Sequence, residues 1–219
     1  MSDIFREVDE EFKRDQVAQT VKKHSNLIIG LLLAVVIGVG GYRTWQYFET
    51  KKAIEAGQKF EVALALASDG KADEAKAAFE AMAREAPKGY QMLARFRLAS
   101  DLARTDVAGA IKAYEALAAD ASIDQTLRDL ASVRAGVLMV DTAGYDDLKA
   151  RLEPHVAQGK AWRLAAREAL GLSAYKAGQL DRAGGYFEQV LADPAAGQAV
   201  RQRAEMMLAL VRGGAAPAK

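Results

Sequence analysis

Cysteine is absent from the 219 residues, which excludes disulfides, thiolate metal sites and cysteine nucleophiles and leaves the chain equally suited to an oxidising or a reducing compartment. Proline occurs only 4 times and aromatic residues make up 7%. No stretch alternates β-branched with polar residues, so the main signal for strands is missing and an all-α fold is expected. Lysine and arginine number 30 against 29 acidic residues, a net charge of +1, so no basic field points to nucleic acid. The 2 histidines, His24 and His155, are far apart and cannot alone assemble a transition-metal site. There is no glycine-rich phosphate loop, and neither histidine has the local Ser or carboxylate spacing of a nucleophile–base pair. Asp146-Asp147 reads as a charge pair at a helix N-terminus. No catalytic, cofactor-binding or metal-binding residue is expected, no small-molecule substrate either, and the chain does not read as an enzyme.

What is present begins with KKHSNLIIGLLLAVVIGVGGYRTWQYF, Lys22 to Phe48. Between Lys23 and Arg43 no side chain carries a full charge, and as a helix this stretch reaches about 28 Å, close to the ~30 Å of a bilayer's hydrocarbon core. Ten of its residues are Leu, Ile or Val, favouring insertion by about 3–6 kcal/mol on the translocon scale. Tyr42, Trp45, Tyr47 and Phe48 follow, rings suited to a membrane–water boundary. A cleaved signal peptide fits badly, because residues 1–23 carry six acidic against five basic side chains where a short basic region would be needed. The expectation is an uncleaved signal anchor over 24–43. Basic residues flank it on both sides, so the charge rule favours a cytoplasmic N-terminus only slightly.

After residue 50, turn signals recur at helix-length intervals: Asp69-Gly70, Pro87 to Gly89, Thr105-Asp106, Ser122 to Asp124, Thr142 to Gly144, Gly159, Gly178 and Pro194 to Gly197. They predict antiparallel helices with short connections, with Asp69 and Asp106 as N-caps. Gly70, Ala75, Phe79 and Pro87 are spaced 0, 5, 9, 17, and Gly178, Ala183 and Phe187 restart the series with Pro194 one place early. Ala110 and Tyr114 fall 35 residues after Ala75 and Phe79, and Leu170-Gly171 precede Gly178. A period near 34 with a small residue four before an aromatic is the tetratricopeptide signature. In the stretch Asp124–Val156, Lys149 and Glu153 stand where the small residue and the aromatic belong, so that repeat is expected to be degenerate. Repeat two is one residue short at its turn, and Ala174 replaces the usual tyrosine, with Tyr175 beside it.

The chain thus resembles tetratricopeptide-repeat proteins over about residues 51–194. The order of parts, an acidic tail containing EVDEEFKRDQ, one span and about four hairpins with a capping helix, resembles the YfgM-type family of bacterial inner-membrane proteins, the ancillary subunit of the SecYEG translocon. That resemblance implies a cytoplasmic tail over 1–23, a single pass through the inner membrane and a periplasmic tetratricopeptide-like domain over 44–212; the end over 213–219, which has no apolar payload, is expected to be disordered. It also implies protein partners, namely Sec translocon subunits and periplasmic chaperones or folding factors. A membrane-tethered scaffold for another envelope complex, in division or outer-membrane assembly, is the competing reading.

Three sets of residues are candidates for contact with partners. Ile4, Phe5, Val8 and Phe12 make an apolar stripe on an otherwise acidic helix, either a cytoplasmic docking helix or a weakly ordered tail. Gly30, Ala34 and Gly38, four apart, form a small-residue face that allows close helix contact in a membrane, unless the glycines are simply tolerated there. Carrying the repeat register across, Phe60, Leu64, Phe96, Arg104, Leu172 and Tyr175 are expected to line a groove formed by the first helices, or else to belong to the core between repeats.

Overall fold

A computed structural model describes residues 25–214. The chain divides into two compact units, Met1–Glu55 and Ala56–Lys219. Among the described residues there are nine α-helices, one 3-10 turn and no strand. They are α1 (Ser25–Ser68), α2 (Ala72–Glu85), α3 (Lys88–Leu102), α4 (Val107–Ala119), α5 (Gln125–Met139), α6 (Tyr145–Leu152), the 3-10 turn Glu153–His155, α7 (Arg163–Lys176), α8 (Leu180–Ala192) and α9 (Gln198–Arg212).

In the first unit, the leading part of α1 is apolar on every side. Leu31, Leu33, Val35, Val36, Ile37 and Val39 are all exposed, so no single stripe faces a core. A helix apolar all round is stable only inside a protein or a membrane, and none of this helix's apolar window is buried in the protein; it is long and apolar enough to cross a membrane.

The second unit is built of hairpins. The last turns of α1 pair with α2, α3 with α4, α5 with α6 and α7 with α8, and α9 closes the row. The first core cluster joins Ala63, Ala75, Phe79, Met82 and Ala94. The second joins Ala99, Tyr114, Leu117, Ile123, Ala131 and Ala135. Each cluster therefore includes the first helix of the following hairpin, through Ala94 in one case and Ala131 and Ala135 in the other. A third, larger cluster runs from Val133 through Leu148, Leu152, Leu170 and Phe187 to Leu208 and Val211 on α9. Stacking of this kind lets units too small to bury their own apolar faces bury them against a neighbour.

Local sequence explains the ends of the helices. Gly70 has φ +78° and Gly178 φ +73°, the left-handed conformation that ends a helix cheaply only at glycine. At each, the following amide donates back into the helix, Lys71 N to Leu66 O at 3.0 Å and Gln179 N to Ala174 O at 2.9 Å. Asp106 caps α4 by accepting from Gly109 N at 2.8 Å. The expected cap at Asp69 is not formed; Lys71 occupies the cap position of α2 and makes no side-chain bond, because the left-handed turn at Gly70 satisfies the chain at this corner and moves the helix start three residues past Asp69. α6 is only 8 residues long, since Pro154 lacks the amide hydrogen needed to continue the helix.

The structure also corrects the register of the third repeat. Lys149 is partly exposed and Glu153 exposed, whereas Leu148 and Leu152 are fully buried. The positions filled by Ala75 and Phe79 in the first repeat and by Ala183 and Phe187 in the fourth are taken here by Leu148 and Leu152. Gly136 lies twelve residues before Leu148, as Ala63 lies before Ala75 and Gly171 before Ala183. A Cβ at Gly136 would stand 2.7 Å from Leu152 Cδ2, and one at Gly171 would stand 2.8 Å from Phe187 Cζ. Repeat three keeps the architecture of the others with two leucines in place of the alanine and the ring.

This packing gives a measurable test. Gly171→Ala gains up to about 1 kcal/mol of helix propensity but presses a methyl into a buried ring, and overpacking costs about 1–3 kcal/mol. The clash wins, so the variant should unfold at lower urea than the parent. Phe187→Ala alone should cost about 3–5 kcal/mol. Combining the two removes the clash, so the double variant should be less destabilised than the sum by at least about 0.5 kcal/mol; strict additivity would mean that the ring and Gly171 do not pack together.

Candidate interaction surfaces

The residues expected to line a groove occupy intermediate positions. Phe60 lies edge-on to Phe79 with centroids 5.4 Å apart and sits 6.2 Å from Tyr90. Phe96 lies 6.1 Å from Tyr114. Leu64, Leu172 and Tyr175 are half-buried against the core clusters. Each thus gives one side to the core and keeps another open. Arg104 is the exception: its guanidinium is exposed, 3.4 Å from Asp101. Leu93 and Val137, which the sequence did not single out, are exposed on α3 and α5. Among the exposed large apolar side chains of the second unit, Val62, Leu93 and Val137 lie on first helices, and Met206 and Leu210 lie on α9, which follows α8 as a first helix would. Val107, at the start of α4, is the one on a second helix. Apolar surface is therefore concentrated on one set of helices, as a protein-contact face requires.

On the first unit, Gly30 and Gly38 have nothing within 4 Å of where a Cβ would stand, and Ala34 between them is exposed. Tyr42, Trp45, Tyr47 and Phe48 follow on the same helix, all exposed. The stripe Ile4, Phe5, Val8 and Phe12, and His24, lie outside the described residues.

Two polar clusters that the sequence did not reveal fasten the last two repeats. Asp193, just past α8, is 3% exposed. Its carboxylate accepts from Arg163 Nε at 2.6 Å and Nη2 at 2.8 Å, from Arg167 Nη1 at 3.0 Å and from Ala195 N at 3.0 Å. Arg201 on α9 donates to the carbonyls of Leu191, Asp193 and Ala196. A corner linking α7, α8 and α9 is thus closed by charge-assisted bonds, and the Arg163 guanidinium holds the Asp193 carboxyl down at about 2. The signal was present only as an aspartate beside proline, which ordinarily marks a turn.

The other cluster surrounds His155, 8% exposed. Its Nε2 lies 3.2 Å from Ser132 Oγ and its Nδ1 3.9 Å from Asp129 Oδ1, with Lys160 Nζ 3.9 Å from Asp129 Oδ2. The order Ser, imidazole, carboxylate is that of a hydrolytic triad, but Nδ1 makes no hydrogen bond, so nothing fixes the tautomer that the mechanism needs. Ser132 sits inside α5, where the neighbouring amides are committed to the helix and cannot stabilise an oxyanion. The cluster fastens the 3-10 turn to α5. Burial pushes the His155 pKa below its usual value, against the pull of Asp129. Among the described residues no group of His, Asp and Glu could hold a metal ion.

Taken together, the stacked hairpins and their one-sided apolar surface define a helical-repeat protein whose fold serves protein–protein contact. A family model of the tetratricopeptide repeat-like domain matches residues 20–211, and the chain belongs to that family. No curated protein and no solved structure matches the chain.

The polar clusters set the pH response. His155 is less basic folded than unfolded, so its contribution is complete above about 6.5 and is lost as pH falls through its lower folded value. Asp193 is more acidic folded than unfolded, so its contribution is present above about 4 and is lost as pH falls toward about 2. Urea midpoints measured from pH 8 to pH 2 should therefore fall in two stages, and His155→Gln should remove the upper stage while leaving the lower. A midpoint independent of pH between 7 and 5 in the parent would contradict the buried, neutral histidine.

Proposed function

We propose that the chain is a single-pass inner-membrane adaptor of the SecYEG translocon, anchored by the apolar part of α1 and presenting its tetratricopeptide-like unit to periplasmic chaperones or folding factors. The observation that carries the membrane-adaptor reading is the pairing of an uncovered helix, apolar on every side, with a repeat unit whose exposed apolar side chains gather on the first helices. Partners would be held by the half-buried side chains Phe60, Leu64, Phe96, Leu172 and Tyr175, with Arg104 at the rim. The translocon as the particular complex rests on the resemblance in order of parts to the YfgM-type family. The tail with Ile4, Phe5, Val8 and Phe12 would lie in the cytoplasm.

Crosslinking in native membranes, followed by identification of the trapped proteins, tests this reading. Channel subunits should be recovered, and Ala34→Leu should weaken their recovery without impairing insertion, because bulk on a small-residue face keeps helices apart while hydropathy improves. Protease added to spheroplasts should digest the repeat unit and leave a protected fragment ending near Tyr42. Recovery of division or outer-membrane-assembly proteins with no channel subunit would instead favour the scaffold of another envelope complex. Protection of the repeat unit would overturn the periplasmic placement.

A further inference from the structure

On the second helices, away from the surface just described, α6 and α8 enclose a cleft of about 340 Å³. One wall is Tyr145, Lys149 and Glu153, spaced four apart along α6 and the turn that follows; the other is Arg182, Gly185, Tyr186 and Gln189 along one face of α8. Two facing helix surfaces ordinarily bury apolar side chains against each other. Here Tyr145, Tyr186 and Val156 are tucked against the core, and the remaining side chains, Lys149, Glu153, Arg182 and Gln189, line the cleft with polar groups.

The preceding junction of second helices is built differently. At the preceding one, Glu115 on α4 accepts a hydrogen bond from Arg151 on α6, closing the gap between second helices with an ion pair. In the shared register Glu153 stands five residues after Leu148 as Glu115 stands after Ala110, and Tyr186 stands three after Ala183 as Arg151 stands after Leu148. Tyrosine thus occupies the place of the arginine, and the bridge cannot form. In its stead the Tyr145 and Tyr186 hydroxyls lie 3.4 Å apart, and the Arg182 guanidinium lies over the Tyr145 ring at 5.4 Å. Arg182 donates to the neutral Gln179 amide, and neither it nor Lys149 is in an ion pair. Two cations therefore face the cleft without a carboxylate partner, against the single carboxylate of Glu153.

We propose that this cleft is a docking site for a single acidic side chain of a protein partner. A partner Asp or Glu carboxylate is taken up by Lys149 and Arg182, with its aliphatic stem against the Tyr186 ring. Arg182 is suited to this, since stacking on a ring orients a guanidinium and leaves its edge free to bind a carboxylate. The volume is at the lower end of the ~300–1,000 Å³ typical of ligand sites, which suits one or two side chains. Glu153 disfavours a run of acidic residues and selects a carboxylate with neutral neighbours.

The full chain, labelled with ¹⁵N-arginine in detergent micelles, is titrated with the acetylated peptide amide Ala-Glu-Ala and with its Ala-Gln-Ala counterpart. The reporter is the Arg182 Nε–H signal, assigned by its loss in Arg182→Lys. The acidic peptide should move that signal saturably and the glutamine peptide should not. Lys149→Gln should weaken the apparent affinity by about fivefold, the size expected for one exposed charge pair, and Glu153→Gln should strengthen it. An equal response to both peptides, an unchanged affinity in Lys149→Gln, an equally strong response to inorganic phosphate, or no movement up to millimolar peptide would each overturn the proposal. None of these readings depends on whether channel subunits copurify.

Discussion

The repeat unit depends on one steric arrangement, a small residue on the first helix of a hairpin facing a large buried side chain on the second. Gly171 under the Phe187 ring and Gly136 against Leu152 show it directly, since a methyl at either glycine would stand under 3 Å from its neighbour. Ala63 with Phe79 and Ala99 with Tyr114 share a core cluster in the same way. Close approach of two helices multiplies dispersion contacts, and a ring laid across the gap removes more apolar area from water than any aliphatic side chain. Hairpins of about thirty residues cannot build a core of ordinary depth. The contact that joins their two helices tightly is also what leaves a face to offer the next hairpin.

Polar chemistry does a different task. Where apolar packing runs thin, at the turns between repeats, buried polar groups take over: Asp193 with Arg163 and Arg167 at the last corner, and His155 with Ser132 at the 3-10 turn. Removing one partner of such a group strands the other without water, so these corners specify how the repeats meet more than they add net stability. The junction of α6 and α8 lacks the ion pair of the one before it: with tyrosine in the arginine's place two hydroxyls meet 3.4 Å apart beside a cleft, and the same register that makes the solenoid regular makes this gap visible as a departure from it.

Much of this was legible in the sequence. The turn glycines, the alanine–aromatic spacing and the hairpin count could be read because each reflects a local constraint: a left-handed corner, or a methyl-sized gap beside a ring. The third repeat is hidden from the alanine–aromatic spacing, because Leu148 and Leu152 meet the same requirement of buried volume with different residues; Gly136 is its better marker. Asp69 was misassigned because it precedes a left-handed glycine, not a helix. The Asp193 and His155 clusters were hidden for a different reason: their partners lie more than twenty residues away and meet only once the repeats stack. Arg167 and Ser132 look like surface residues until α7 and α5 are in place. Surface faces fall between these extremes: the register places Phe60 and Tyr175 on first helices, whereas the exposure of Val137 follows only from how the third repeat packs.

Repeat three follows the same packing rule as its neighbours, with Leu152 in the place of the ring. The most direct measurement is a pair of urea unfolding curves for the adjacent substitutions Leu152→Ala and Glu153→Ala, followed by helix content. Leu152 is fully buried and Glu153 is exposed, so Leu152→Ala should cost about 2–5 kcal/mol while Glu153→Ala stays within about 0.5 kcal/mol of the parent. Equal losses, or the larger loss at Glu153, would show that the third repeat is set in another register and that the shared rule fails there.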